Sequence, residues 1–284
     1  MMYYGVLTLC ALMFSTQFFF TQMYSKSYGS DLKAIFVSSV GNAAVGILTL
    51  SAMNGFKIGY THFSFLMATL AFLNGVVLKF CSLKSLDKIN LSLYSLFSML
   101  GGMTLPFIAG ILFFGEKLTF GKVICFFFIV AAFLFTIEKD EKKTGYLYYI
   151  GVFVFNGMSG VIAKIFQAAP FEKVSAVEYS FLGAVIGLVG SIIPLIFIKG
   201  DKRPLTLKPI VAICGGGIIN RLANLFLIIC LTYIPASAQY PFITGGTMIF
   251  STLIAFLTHQ KPSKKEIISV VLSFAGILIL VLVN

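Results

Sequence analysis

A chain of 284 residues that is 58% hydrophobic and only 11% charged is not a soluble globule, because soluble domains carry about a quarter of their residues as charges. It reads as a membrane protein. The formal charge of +11 does not point to nucleic acid, since Lys and Arg fall in short turns between apolar segments and build no continuous basic surface.

A bilayer core about 30 Å thick is crossed by roughly 20 apolar residues in a helix. By that measure ten spans follow one another at about 2–24, 32–54, 62–84, 90–114, 120–138, 145–169, 175–198, 208–231, 235–258 and 264–283. The first 24 residues lack a basic head and a small-residue cleavage site, so they read as a span and not as a removable leader. Pro170 closes span six, Pro204 and Pro209 flank the start of span eight, and Pro235 opens span nine. Ser175 with Glu178, and Ser263 with Glu266, have the spacing of a capping box at the starts of spans seven and ten. Charged residues 138–143 read as a solvated linker. The cysteines Cys10, Cys81, Cys125, Cys214 and Cys230 all lie inside spans and read as small buried residues without disulfides.

Residues 91–119 recur at 235–263, 144 residues on. Gly101-Gly102 then falls on Gly245-Gly246, and the turn Gly115-Glu116-Lys117-Leu118-Thr119 on His259-Gln260-Lys261-Pro262-Ser263. The chain therefore divides into two five-span repeats, 1–140 and 141–284. Turns after odd-numbered spans hold 14 Lys and Arg, against 4 in turns after even-numbered spans. Basic turns stay in the cytoplasm, so both termini are expected outside. With an odd number of spans per repeat, equivalent turns lie on opposite sides of the membrane, and the basic turns switch accordingly. The expected fold is an all-α membrane protein of ten helices arranged as inverted repeats, an architecture that carries a site near the midplane.

Five plus five spans, with Gly-Glu-Lys-Leu-Thr between the fourth and fifth, resemble the drug/metabolite transporter superfamily, most nearly its EamA-like branch. Gln22 and Lys164 occupy the place where such proteins often carry a lysine. The resemblance covers the whole chain and implies a central cavity lined by the first, third and fourth spans of each repeat, opening alternately to either side. It says little about substrate. The small multidrug branch has an essential glutamate eight residues before that lysine; Phe14 and Asn156 stand there, which speaks against its mode of cation export.

A charge at mid-bilayer is costly, so each one is a candidate functional group. Arg221, about midway along span eight with Asn220 beside it and Asn224 almost one turn on, cannot shed its charge. It meets either a substrate carboxylate or phosphate, or carbonyls and amides such as those of Asn74 and Asn156, or a wet cavity. Lys79 and Lys164 are near enough to span ends to snorkel, and Lys164 also has Glu178 as a partner across the next turn. Glu178 reads as a cap or as a proton-coupling carboxylate. Gln17, Gln22, Asn42, Asn74, Asn156 and Gln239 suit either helix-to-helix bonds or a hydrated site, and all but Asn42 fall in spans that the resemblance assigns to the cavity. Tyr94 and Tyr240, at nearly matching repeat positions, supply hydroxyls or interfacial anchors.

No catalytic constellation, metal-ligand spacing or cofactor motif appears, so neither an enzyme nor a cofactor is expected. The expected function is a plasma-membrane carrier of a small polar metabolite with an acidic group, of amino acid or organic acid type, working by alternating access as a monomer or homodimer. The rival readings are an exporter of drugs or organic cations and a non-transporting receptor or structural bundle.

Overall fold

The computed structural model describes residues 2–29, 31–53, 57, 59–86, 91–136, 146–198, 203–257 and 264–283, with side chains for all of these except 83–86, 91–96, 136, 146, 149 and 266. Among the described residues there are ten helices and no strand: α1 (Met2–Tyr28), α2 (Leu32–Met53), α3 (His62–Leu86), α4 (Leu91–Phe114), α5 (Phe120–Thr136), α6 (Tyr146–Ala168), α7 (Ala176–Phe197), α8 (Leu207–Cys230), α9 (Ala236–Leu257) and α10 (Lys264–Val283). Eight are long and apolar enough to cross a membrane, and α5 and α10 are shorter apolar helices. Large apolar side chains such as Leu48, Phe113, Phe197 and Leu282 stand fully in the open on the helix surfaces. Such surfaces are at ease in lipid.

The helix bounds agree with the expected spans to within two residues at every end but one. The exception is α1, which runs four residues further, to Tyr28. Packing extends it: Tyr24 and Tyr28 bury themselves against Ala34, Ala212 and Ile213, and the Tyr24 hydroxyl donates to Ala34 O at 2.7 Å. Gly29, at φ 113°, then ends the helix in a conformation that only glycine adopts without strain.

The chain divides into two compact units, one comprising Met1–Leu12, Leu73–Ala169 and Ile228–Asn284, the other Met13–Phe72 and Pro170–Leu227. In the first unit α4 lies against α6, α9 and α5, and α10 lies against α5 and α9. The α4–α6 contact is backbone on backbone: a Cβ on Gly101 would collide with Phe153 O, and one on Gly157 would sit 2.5 Å from Gly101 O. Small residues permit this approach, and dispersion then holds the pair together where lipid offers no hydrophobic drive. Ser269 Oγ donates to Ala132 O at 2.7 Å, joining α10 to α5.

In the second unit α2 packs against α7. It also touches α8 at three successive points, Gly41 with Ile213, Asn42 with Gly217 and Gly46 with Arg221, so the two helices run in the same direction. Arg203 joins the α1–α2 turn from the far side of the sequence, donating to Tyr28 O at 2.8 Å and pairing with Asp31 at 2.9 Å. The absence of a side chain on Gly29 admits that guanidinium.

Candidate functional site

Four of the expected site residues, Arg221, Asn220, Asn224 and Gln17, lie in the second unit. Arg221 is near the middle of α8, and its stem passes over Gly46 of α2, where a Cβ would come 2.7 Å from Nε and 3.1 Å from Cγ and Cδ. Gly46 thus supplies the room that the arginine occupies. Among the described residues Arg221 has neither an ion pair nor a hydrogen bond. It is set deep among protein atoms yet keeps part of its surface open. Beside it, Asn220 Nδ2 donates to Gln17 Oε1 at 3.1 Å, and Asn224 Nδ2 donates back one turn to Asn220 O at 2.8 Å. The amides satisfy one another, and the cation is left over.

The expected residues of the first unit are mostly engaged in joining helices. Asn74 Nδ2 donates to Phe155 O and to Ser159 Oγ, both at 2.8 Å, tying α3 to α6. Asn156 Nδ2 donates to Ser98 O and so ties α6 to α4. The Tyr240 hydroxyl donates to Gly160 O at 3.1 Å. Gln239 is wholly buried within α9. The side chain of Tyr94 lies outside the described residues, as do Ser263 and the side chain of Glu266 of the second capping box.

Glu178 forms the expected capping box at the start of α7: Ser175 Oγ accepts from Glu178 N at 3.3 Å, while Glu178 Oε2 accepts from Ser175 N at 2.9 Å and from Ser175 Oγ at 2.7 Å. A carboxylate so placed satisfies amides that the first turn of any helix leaves without partners.

The ion partner of Lys164 is Glu116, at 2.9 Å, with both side chains about nine-tenths buried. Glu116 stands in the short α4–α5 turn just after Gly115, whose φ of 63° ends α4. Its carboxylate also accepts from Ala236 N and Ser237 N, each at 2.8 Å, and from Ser237 Oγ at 2.6 Å. A residue from a distant turn thereby caps α9, where the helix dipole favours negative charge. Burial alone would raise the carboxyl, but the Ser237 hydroxyl, the Lys164 ammonium and the two amides outweigh it and hold Glu116 below its usual range. The Gly-Glu-Lys-Leu-Thr turn marks this residue in the sequence as part of a family resemblance. Its partners are 48 and 120 residues away, so no local pattern names them.

Among the described residues no group of three His, Cys, Asp or Glu is placed to hold a metal ion. Residues 143–282, which take in α6 to α10, match the EamA-like transporter family. A solved structure whose title reads only "Crystal structure of protein" is similar to this chain with a TM-score of 0.72, covering 99% of this chain and 96% of that one at 14% sequence identity, a likeness of fold. A search of curated proteins finds no match. Residues 143–282 are thus an EamA-like transporter domain of the drug/metabolite transporter superfamily, and the apolar helices make this a multi-pass membrane protein.

Proposed function

We propose that this protein carries a small polar metabolite with an acidic group, of amino acid or organic acid type, across the plasma membrane by alternating access. Arg221 carries the reading. A guanidinium stays ionised at any working pH, and in a poorly hydrated setting a charge without a counter-charge is costly to keep. A substrate carboxylate or phosphate, held by the planar donor fork, supplies what the described residues do not. Asn220, Asn224 and Gln17 offer the amide donors and acceptors that orient the rest of such a molecule. An exporter of organic cations is the weaker reading, because an uncompensated arginine repels them.

Two inverted repeats, 1–140 and 141–284, with both termini outside, complete the proposal. Support comes from the 144-residue offset, from the switch of basic turns between copies, and from the packing of α2 on α7, α4 on α9 and α5 on α10, each a pair five helices apart. The test is uptake of labelled amino and organic acids by liposomes containing the purified protein, beside Arg221→Ala and Arg221→Lys. Uptake that Arg221→Ala abolishes, while the melting temperature is kept, supports the reading. Full uptake by Arg221→Ala ends it.

A further inference from the structure

Three helix ends meet at one face of the first unit: the C-terminal ends of α4 and α6 and the N-terminal end of α9. Glu116 binds all three. It belongs to the turn that leaves α4, it pairs with Lys164 of α6, and it takes two amides and one hydroxyl from the first turn of α9. The Lys164 ammonium lies in addition over the ring of Phe114 at the end of α4, 5.6 Å from its centroid. The charges facing the carboxylate are Lys164 from α6 and Lys122 from α5; Lys122 is buried and donates to Lys117 O at 2.6 Å.

We propose that Glu116, Lys164 and the first turn of α9 form a charge latch, which shuts the first unit at the face of the α4–α5 turn and releases when the carrier opens to that side.

Three properties suit the group to this work. The carboxylate, itself on the α4–α5 turn, accepts four hydrogen bonds from two helices, α6 and α9, so separating either from the turn removes a charge-assisted bond. The bonds are buried while shut, where they are strong, and are exchanged for water on opening, where the lost energy is largely returned. The contact is also discrete, and packed contacts with two arrangements turn a small shift into a switch. The sequence shows that the latch is one-sided. At the 144-residue offset Gln260 stands where Glu116 does and Phe20 where Lys164 does, with Gln22 two residues on, so one repeat carries the charge pair and the other carries neutral residues. With basic turns inside, the charged copy faces outward.

The latch deepens the carrier reading and rests on it, but its test needs no substrate. Ala238, 2% exposed in the first turn of α9, is replaced by cysteine in the full-length protein in liposomes, and labelling by a membrane-impermeant thiol reagent is mapped by peptide mass spectrometry. The second substitution is Glu116→Gln, which installs the residue that the other repeat already has. The expected result is labelling of Ala238→Cys at least tenfold faster with Glu116→Gln than with Glu116, and likewise with Lys164→Gln, while Cys10, Cys125 and Cys230 stay unlabelled. Unchanged labelling overturns the latch. Labelling of the buried native cysteines overturns it too, because Glu116 is then a general support of the fold. If Glu116→Gln does not yield folded protein, Ser237→Ala removes a single donor, and the same two outcomes decide. Absence of transport in liposomes would count against the carrier reading alone.

Discussion

Replacing Lys164 by methionine keeps the length of the stem and removes the charge that Glu116 faces. Breaking one side of a buried ion pair costs about 3–5 kcal/mol when nothing else holds the remaining charge. Here Glu116 retains three donors from Ala236 and Ser237, and it has a way out, which is to take a proton. From an ordinary carboxyl value of 4.5, protonation at pH 7 costs about 1.4 kcal/mol per unit over 2.5 units, or roughly 3.4 kcal/mol. The expected loss for Lys164→Met at pH 7 is therefore about 2–3 kcal/mol, a fall of roughly 5–10 °C in melting temperature for a chain of this size. The sign of its pH dependence is fixed. In the wild type Glu116 is held below 4.5, so its stabilisation is complete above that value and is lost as pH falls through the folded pKa. In the variant the folded pKa is higher, so the gap between the two proteins is widest at neutral pH and narrows as pH falls toward and below 4.5. Thermal unfolding in detergent at pH 7 and at pH 4.5 measures both. A variant as stable as the wild type at pH 7, or a deficit that is the same at both values, would show that Lys164 does not serve the charge on Glu116.

Two further substitutions contrast rigid and yielding neighbours. Gly101→Ala sets a methyl group against the Phe153 carbonyl, and backbone cannot turn aside as a side chain can; the expected cost is at the upper end of about 1–3 kcal/mol, read as a lower melting temperature, and an unchanged value would mean that α4 and α6 do not approach so closely. Gly46→Ala meets the flexible Arg221 side chain first, at Nε, Cδ and Cγ, so the fold should hold while the guanidinium is displaced. Calorimetric binding of whichever organic acid the liposome assay identifies should weaken by about tenfold, near 1.4 kcal/mol, and undiminished binding would separate Gly46 from the placement of Arg221.

The helices were legible in the sequence because crossing a bilayer demands a length and a polarity that only some stretches have, and Pro170, Pro204, Pro209 and Pro235 mark their ends. The capping box of Ser175 and Glu178 was legible for a related reason: both partners lie within one turn. The long tail of α1 was not, because Tyr24 and Tyr28 look like interfacial residues until Ala34 and Ala212 are known to cover them. Arg221 announces itself by chemistry alone. The partner of Lys164 was not legible: Glu178 is nearer in sequence than Glu116, but a contact between α6 and the α4–α5 turn depends on packing that no spacing encodes. Asn74 and Asn156 illustrate the same limit, since an amide in a span looks alike whether it bonds a ligand or the carbonyl of the next helix.

The composition of α9 bears on how the protein is assembled. Its first twelve residues, Ala236 to Thr247, include Ser, Gln, Tyr, Pro and Thr, and all but Thr244 are buried by neighbouring helices. Lipid therefore touches little of that half, and the attraction that threads an ordinary greasy helix into a bilayer acts on it only weakly. Its berth is defined by other helices, α4 among them, which is synthesised well ahead of it. Because α10, which follows α9 in the chain, packs against it as α4 does, that berth is complete only once helices made before and after α9 have both come to it.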